Sequence, residues 1–415
     1  MHVLLIHQVF ASPDQFDGSR HYKLAQHMLG AGHRFTIVAS NVNYHTKQRI
    51  VDCSGLMVKQ NLDGIRVLRA YTHPSMHRSF TWRVIAFLSF MFTSTWAGLR
   101  AGPVDLVMGT SPPIFQAVSA WLVAVIRRRP FLLEIRDLWP EFAIDLGVLK
   151  NPILIALSRW LEAFLYARAT HLLVNSPAYR DYLIGKGLPE GKISLIPNGA
   201  DLDMFDPDAK GERIRHEWGL EGQFVVTYAG ALGFANDIPT ILRAANRLRA
   251  QSHVRFLLVG DGAQRANLES IARQLRLPNV TFTGPHPRSE VPAILAASDA
   301  CLATLKDIPM FRTTFPNKVF DSMAAGRPMI LAIDGVIRQV VEAAKGGVFV
   351  PPGDDAALAE AVLSLSQDRQ RAAAMGRAAR AYVAEHFNRH QQAAQFLELV
   401  QCLAEQGGRG GDSDS

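Results

Sequence analysis

Residues 316–328 place a lysine and an aspartate close together just before a short apolar run. Asn317 has N-cap character and Gly326 can stop a helix, so the sequence predicts a short helix between them. Lys318 would then lie in the first turn, where free backbone N–H groups favour anions, and Asp321 one turn further on. The pair suits a phosphate and two ribose hydroxyls, although a capped helix with a solvated Lys/Asp pair explains the segment equally well.

The predicted helix has two distinct faces. Residues at spacings of three and four form an apolar stripe and a second, more polar stripe. We expect the first stripe to pack and the second to meet a ligand. The apolar stripe comprises Val319, Phe320, Met323 and Ala324, and the polar stripe comprises Lys318, Asp321, Ser322 and Ala325.

Three glycine turns follow predicted strands in the second half of the chain. They occupy residues 229–233, 260–262 and 284–286. Glycine lets backbone amides approach a pyrophosphate closely, and open α/β sheets bind ligands at the carboxyl ends of their strands. A tight strand–helix connection explains each turn singly, but the three together predict a phosphate site.

Charged segments also follow two strands in the first half. Gly18 and Arg20 come after the first strand, and residues 134–141 hold three carboxylates, an arginine and an aromatic side chain. Within the second segment, Asp137 and Glu141 are candidates for orienting a hydroxyl-rich substrate. An ion-paired loop is the alternative explanation.

The sequence does not predict a metal site. Asp201 and Asp203 form an Asp-x-Asp pair, which binds metal in other enzymes, but the pair follows a turn at the expected domain boundary. The cysteines have neither CxxC spacing nor histidine partners at ligand spacing. We therefore expect no metal and a reducing compartment.

Apolar runs alternate with helical patterns in both halves, which predicts an α/β protein with two Rossmann-like, doubly wound domains facing across a cleft. We expect a first domain at 1–200, a second at 201–385, a helix at 386–405 that returns to the first domain, and a disordered tail at 406–415. The predicted strands are 3–6, 35–39, 65–69, 106–109, 131–135, 172–175 and 194–197, then 224–228, 255–259, 280–283, 300–304, 329–333 and 347–350.

The composition agrees with two globular domains. The chain has 415 residues, 48% of them hydrophobic and 20% charged, and it is too long for one ordinary core. The first residues lack the basic region of a signal peptide, so none is expected. A net charge of +7 favours anionic partners, which include nucleotides, nucleic acids and acidic lipids.

Residues 84–99 form an uncharged stretch with several aromatic side chains. The stretch is short for a membrane span, which needs about 20 residues. A packed helix is the first interpretation, and a helix inserted shallowly into a membrane is the second. Arg78, Arg83, Arg100 and the basic triplet 127–129 would help such a helix to dock on anionic lipid.

With these motifs assembled, the chain resembles the retaining glycosyltransferases of family four, which have the GT-B fold. It especially resembles the subgroup that builds bacterial surface polysaccharides such as O-antigen, capsule and exopolysaccharide. The resemblance covers about residues 1–395. It rests on Gly18-Ser-Arg20, Gly32-His33, Thr110-Ser-Pro-Pro113, Arg136-Asp-Leu-Trp-Pro-Glu141, Pro197-Asn-Gly199 with Asp201, Tyr228-Ala-Gly-Ala-Leu-Gly233, Gly260-Asp-Gly262 and residues 316–328.

The resemblance implies a role for each domain. In such enzymes the second domain holds a nucleoside diphosphate sugar and the first holds the acceptor. Carried over, the catalytic residues would be Asp137, Glu141 and Lys318, with no metal. The donor would contact Gly18, Arg20, Gly230, Leu232, Gly233, Gly260, Gly262, Pro285, His286, Arg312, Lys318 and Asp321.

The chain departs from the family pattern at two places. The paired acidic motif of the family has a glutamate at each end of nine residues, whereas this chain has Thr313 and Asp321. The basic residues that usually follow the glycine turn at Gly233 are also missing. Lys306, Arg312 and Lys318 would neutralise the diphosphate instead.

The sequence therefore predicts a cytoplasmic enzyme that is peripheral on the inner face of the cytoplasmic membrane. It would move a sugar, expected to be a UDP-linked N-acetylamino sugar, onto a saccharide or undecaprenyl-linked acceptor with retention, and would bind no nucleic acid. One alternative is a sugar-nucleotide epimerase on the same scaffold. A non-catalytic nucleotide-binding protein is the other, because Thr313 replaces a family glutamate.

Overall fold

A computed structural model describes residues 1–10, 19–43, 48–52, 55–74 and 80–409. It divides the chain into two compact units. The first comprises residues 1–196 and 390–415, and the second comprises residues 197–389. The division falls before Pro197, four residues ahead of the boundary expected after Ala200.

The first unit is built on an eight-stranded sheet in the order β3-β4-β2-β1-β5-β6-β7-β8. All neighbouring strands are parallel except β3 and β4. The central strands are buried on both faces, as parallel strands covered by helices must be. The strands are β1 His2–Ile6, β2 Arg34–Ser40, β3 Met57–Leu62, β4 Ile65–Ala70, β5 Leu106–Ser111, β6 Phe131–Ile135, β7 His171–Val174 and β8 Ile193–Leu195.

Helices connect these strands in the pattern expected from the sequence. They are α1 Ser19–Gly30, α2 Phe80–Leu99, α3 Ile114–Arg127, α4 Glu141–Asp145, α5 Pro152–Arg168 and α6 Pro177–Gly185. Helix α2 packs on α3, and α3 packs on α5. No described helix is both long and apolar enough to cross a membrane.

Strand β3 was missed in the sequence because its residues form no continuous apolar run and are at most partly buried. It pairs antiparallel with β4 at the edge of the sheet, through a turn at Asp63 and Gly64. Both turn residues have positive φ, 51° and 88°, which is the geometry of a two-residue hairpin. The Asp-Gly dipeptide was the available signal.

The last helix, α15 Arg389–Arg409, belongs largely to the first unit. Ala393, Phe396, Val400 and Leu403 lie on one face at helical spacing and enter the core of that unit. The helix continues four residues into the stretch 406–415 that was expected to be disordered. Gly407 permits this because a Cβ there would lie 2.4 Å from Cγ of Pro130. Residues 410–415 lie outside the described part.

The second unit contains a six-stranded parallel sheet in the order β11-β10-β9-β12-β13-β14. Its strands are β9 Phe224–Ala229, β10 Val254–Val259, β11 Val280–Gly284, β12 Ala300–Thr304, β13 Met329–Ala332 and β14 Gly347–Phe349. Its helices are α7 Glu212–Glu217, α8 Ile238–Arg247, α9 Arg265–Gln274, α10 Val291–Ala296, α11 Asn317–Ala324, α12 Val336–Ala343, α13 Asp355–Gln367 and α14 Arg369–His386. Both units are therefore Rossmann-like, as the sequence predicts.

Candidate active site

The three glycine turns meet at one edge of the second sheet. They follow β9, β10 and β11, which are neighbours in the sheet. The amide of Gly230 donates to Val259 O at 2.9 Å, and the amide of Gly260 donates to Gly284 O at 2.9 Å. The turns are thus hydrogen-bonded to one another and form a single surface at the carboxyl ends of the strands.

Glycine is required where these turns cross. A Cβ at Gly260, whose φ is +137°, would lie 2.0 Å from Gly230 O, and a Cβ at Gly262 would lie 2.5 Å from Leu232 O. Either contact is far inside van der Waals distance. Any larger residue would therefore push the turns apart.

The structure changes the role expected for Leu232. Its side chain is fully buried in the core of the second unit, and its amide donates to Asp261 O at 2.9 Å. The amide of Gly230 is likewise used within the sheet edge. Neither amide is therefore available to a phosphate in this conformation.

Helix α11 places Lys318 against the same edge. The Lys318 Nζ donates to Tyr228 Oη at 2.7 Å and to Asn236 Oδ1 at 2.9 Å. It also lies 4.3 Å from the centre of the Tyr228 ring, and a Cβ on Gly230 would be 3.1 Å from it. Neither Tyr228 nor Asn236 was assigned a role of its own from the sequence, although Tyr228 begins the motif that ends at Gly233, because neither side chain is charged.

The surroundings of Lys318 make its charge sensitive to a ligand. Burial lowers the pKa of the Lys318 ammonium to about 7. Both of its polar partners are neutral, so the described residues offer it no carboxylate. An anion at this edge would supply the missing counter-charge and favour the protonated form.

Asp321 is buried, contrary to the exposed position expected for the polar stripe. It is 7% exposed, and its two carboxylate oxygens each lie 3.4 Å from a guanidinium nitrogen of Arg288. Ser322 and Ala325 are buried as well. The reason is that α11 packs against α14 in addition to strands β12 and β13. The helix also begins at Asn317 with Pro316 as its N-cap, one residue earlier than expected.

Pro285 and His286, which the resemblance assigns to the nucleotide base, directly follow β11. Pro285 is exposed, and His286 Nδ1 lies 2.8 Å from Glu290 Oε2. The His286 ring is centred 5.4 Å from that of Trp218. These residues therefore offer an aromatic and polar surface next to the third glycine turn.

Arg312 and Thr313 lie in the turn Pro309–Thr313. Thr313 Oγ1 donates to Met310 O at 2.6 Å, so its hydroxyl caps its own turn. Arg312 is exposed and lies 3.1 Å from Asp307, with both side chains about half in solvent. An exposed ion pair of this kind contributes little to stability, so Arg312 is free to change partner.

In the first unit, Arg20 takes part in an internal ion pair. Its Nε lies 2.9 Å from Oε1 of the fully buried Glu134, and its Nη2 donates to Ile196 O at 2.8 Å. His21 Nε2 lies 2.6 Å from the other carboxylate oxygen. Burial alone would raise the pKa of Glu134, but His21 and Arg20 outweigh it and lower the pKa below its usual range. Arg20 thus supports the sheet edge, and Gly18 lies outside the described residues.

The two acceptor candidates differ in their surroundings. Asp137 is exposed, with Tyr179 Oη 3.4 Å from its carboxylate. Glu141 begins α4 and is held by Arg159, whose Nε and Nη2 donate to its two oxygens at 2.9 and 3.0 Å. For Glu141 the structure shows the ion-paired alternative, whereas Asp137 stays open to solvent.

Two family models match the chain. One, described as a glycosyl transferase 4-like domain, matches residues 18–199, and the other, described as glycosyl transferases group 1, matches residues 223–368. A GDP-mannose-dependent alpha-mannosyltransferase of Mycobacterium tuberculosis is 28% identical over 214 residues. The match covers 51% of this chain and 52% of that protein, so it spans about half the length of this relative.

Solved structures agree on the fold. HepE of Anabaena, in complex with UDP-glucose, is 19% identical with a TM-score of 0.73, covering 97% of this chain and 100% of that chain. WaaG, a glycosyltransferase involved in lipopolysaccharide biosynthesis, is 16% identical with a TM-score of 0.67, covering 95% of this chain and 99% of that chain. With each half matched by a glycosyltransferase model and each unit built on a Rossmann-like sheet, the chain belongs to the glycosyltransferases of family four, which have the GT-B fold.

Proposed function

We propose that this protein transfers a sugar from a nucleoside diphosphate donor to a saccharide, or to a lipid-linked saccharide such as an undecaprenyl-linked one, in the synthesis of a bacterial surface polysaccharide. The observation that carries this proposal is the position of Lys318 Nζ beside Gly230, where three glycine turns meet. A partly buried cation without a carboxylate partner, on a glycine-lined edge, suits a diphosphate. The UDP-glucose complex of HepE and the involvement of WaaG in lipopolysaccharide biosynthesis support this class of substrate and product.

In the proposed reaction the donor diphosphate binds at Lys318. The bond between the anomeric carbon and the diphosphate breaks, and the acceptor hydroxyl forms a new bond on the same face of the sugar. The hydroxyl proton passes to an oxygen of the departing diphosphate. Lys318 stabilises the negative charge that develops on the departing diphosphate. The reaction therefore requires no nucleophile from the protein.

The remaining residues have supporting roles in this proposal. Asp321, fixed by Arg288, accepts from the ribose hydroxyls, and Pro285 and His286 contact the base. Asp137 orients the acceptor hydroxyl from the first unit. Glu141 instead holds α4 to Arg159 and acts on the acceptor only through that segment.

A panel of nucleotide sugars, read by thermal unfolding, would identify the donor, because a ligand that binds the folded state raises the melting temperature. The panel should include UDP-linked N-acetylamino sugars, UDP-glucose and GDP-mannose. The stabilising donor is then incubated with saccharides, and the anomeric configuration of the product is read by NMR. Transfer with retention supports the proposal. Conversion of the donor sugar without any acceptor would instead identify an epimerase.

Activity should survive EDTA, because in this proposal Lys318 carries the role that a divalent cation has in metal-dependent transferases. Asp203, the second residue of the Asp-x-Asp pair, is exposed in the turn Leu202–Met204. The measurement is the transfer rate before and after chelation. Full loss on chelation, with recovery on addition of Mn²⁺ or Mg²⁺, would contradict the expectation and return the Asp-x-Asp pair to consideration.

We also propose peripheral contact with an anionic membrane through the first unit, although not every aromatic side chain of the stretch 84–99 can take part. Phe90 is fully buried, and Phe87 stacks on Phe115, so both belong to the packing of α2. Exposed apolar residues of this unit include Phe92 on α2 and Ile153, Leu157 and Trp160 on α5, each 56–69% exposed. Anionic lipid is the partner favoured by the exposed arginines on these helices. Arg78 lies outside the described residues.

Liposome sedimentation tests this contact with a matched control. Phe92→Ser together with Trp160→Ser should weaken binding to anionic liposomes, and added salt should weaken it further. Phe234→Ser, which removes a side chain 63% exposed on the second unit, should have no effect. Equal binding by all three proteins, or no binding by the wild type at low salt, would remove the membrane from the proposal.

A further inference from the structure

The first sheet has a topological switch point between β1 and β5. From β1 the chain continues to β2 on one side, whereas from β5 it continues to β6 on the other side. Open α/β sheets bind ligands outside the carboxyl ends of their strands at such a point. His7 directly follows β1, Thr110 lies in β5, and Arg136 directly follows β6. Polar side chains therefore gather where a ligand is expected.

Arg136 is the cation of this group. It is partly exposed, and its Nη1 lies 3.2 Å from His7 Nε2. Within the described ranges its guanidinium forms no ion pair, whereas Arg20 and Arg159 are each paired with a glutamate. A half-buried arginine without a carboxylate can exchange water for an anion at low cost.

The protonation state of His7 follows from its two neighbours. An arginine only donates hydrogen bonds, so Nε2 of His7 must accept, and the proton of the neutral ring lies on Nδ1, 2.8 Å from Thr110 Oγ1. Burial, and then the charges of His21 and Arg136, lower the pKa of His7 well below its usual value. The fully buried ring thus holds the guanidinium in one orientation.

Two buried polar atoms near these residues have no hydrogen-bond partner among the residues that the structure describes. They are Oδ1 of Asn175 and Nε2 of Gln8. Asn175 Nδ2 donates to Arg136 O at 3.2 Å, so this amide is next to the arginine, and Gln8 follows His7 in sequence. A buried polar atom is normally paired, and sugar hydroxyls both donate and accept hydrogen bonds.

We propose that Arg136 binds an oxyanion carried by the acceptor saccharide, a phosphoryl or carboxylate group, and that His7 is the positioning residue for its guanidinium. The inference rests on the proposed function, since it specifies the acceptor of that reaction. It assigns the first unit an anionic saccharide as ligand. Asn175, which already contacts the backbone of Arg136, would bind a hydroxyl of the same sugar through Oδ1.

Calorimetric titration of the full chain with glucose 1-phosphate, glucuronate and glucose tests this site. Arg136→Gln should weaken binding of an anionic probe about 10- to 100-fold and leave glucose unchanged. Preference for glucose 1-phosphate identifies a phosphoryl group, and preference for glucuronate identifies a carboxylate. Lys318→Gln is the matched control, because it alters the donor edge only. Loss of probe binding in Lys318→Gln but not in Arg136→Gln, or no anionic probe bound by the wild type, would overturn the assignment.

The role of His7 is tested by rescue. His7→Gln keeps an acceptor for Arg136 and should retain more anion binding than His7→Leu, while both keep the thermal unfolding of the wild type. Equal binding by both variants would overturn the positioning role. If either variant unfolds, the Arg136→Gln titration still decides the anion site. Titration of the nucleotide donor into Arg136→Gln gives a separate result. If donor binding is unchanged while the anion site fails its test, this inference is wrong but the proposed function still stands.

Discussion

Lys318→Gln is expected to lower kcat for sugar transfer by about 100- to 1,000-fold, the usual cost of removing one preorganised donor to a developing negative charge. Glutamine keeps a polar group within reach of Tyr228 and Asn236 but carries no charge. The measurement is the steady-state transfer rate at saturating donor. Lys210→Gln, which removes an exposed lysine of the same unit, is the control and should leave kcat unchanged.

A kcat and a donor KM of Lys318→Gln that both lie within a few fold of the wild-type values would remove Lys318 from the donor site. A raised donor KM with a normal kcat would mean that Lys318 binds ground state and transition state equally. Only the first outcome conflicts with a role at the donor.

Asp321→Ala is expected to raise the donor KM about 10-fold or more, because a charged acceptor for two hydroxyls is lost. The same change leaves Arg288, which is 6% exposed, without its carboxylate. Removing one partner of a buried ion pair costs about 3–5 kcal/mol, so the free energy of unfolding should fall as well. Donor kinetics and thermal unfolding measure the two effects separately.

A second variant distinguishes binding from stability. Asp321→Leu combined with Arg288→Met replaces the buried pair by apolar side chains, which is often neutral for stability. The double variant should unfold close to the wild type yet keep the raised donor KM. A wild-type KM in the stable double variant would show that Asp321 serves only the fold.

The sequence predicted the arrangement of strands and glycine turns well, because both follow from local patterns. Apolar runs mark buried parallel strands, and glycine after a strand marks a turn, so the edge that includes Gly230 and Gly260 was visible before the structure. The hairpin at Asp63 was missed because its first strand lies at an exposed edge and lacks an apolar run.

The partners of the charged residues were less predictable. Arg288 lies 33 positions from Asp321, Arg159 lies 18 positions from Glu141, and Arg136 lies 129 positions from His7. Each pair forms because two separate elements pack side by side, which depends on sheet order and helix packing. For the same reason the polar stripe of α11 was expected in solvent, whereas packing against α14 buries most of it.

The pH dependence of donor binding follows from the position of Lys318. Burial holds its pKa at about 7 in the free protein, and a bound diphosphate would raise that pKa. At a pH between the free and the bound pKa of Lys318, donor binding is coupled to protonation of this lysine. The affinity for the donor should therefore fall as pH rises above 7. Below the pKa that Lys318 has in the free protein, the lysine is already charged, and its contribution to donor affinity no longer changes with pH.

Calorimetric titration of UDP and GDP at pH 8, in two buffers of different ionisation enthalpy, tests the donor site most directly. At that pH the terminal phosphate, with a pKa of about 6, is already ionised, so proton uptake reports on the protein. Binding of the preferred nucleotide should be accompanied by uptake of a proton by the wild-type protein but not by Lys318→Gln. The variant should also bind this nucleotide more weakly. Binding of neither nucleotide, or equal affinity and equal proton uptake in both proteins, would contradict a diphosphate site at Lys318.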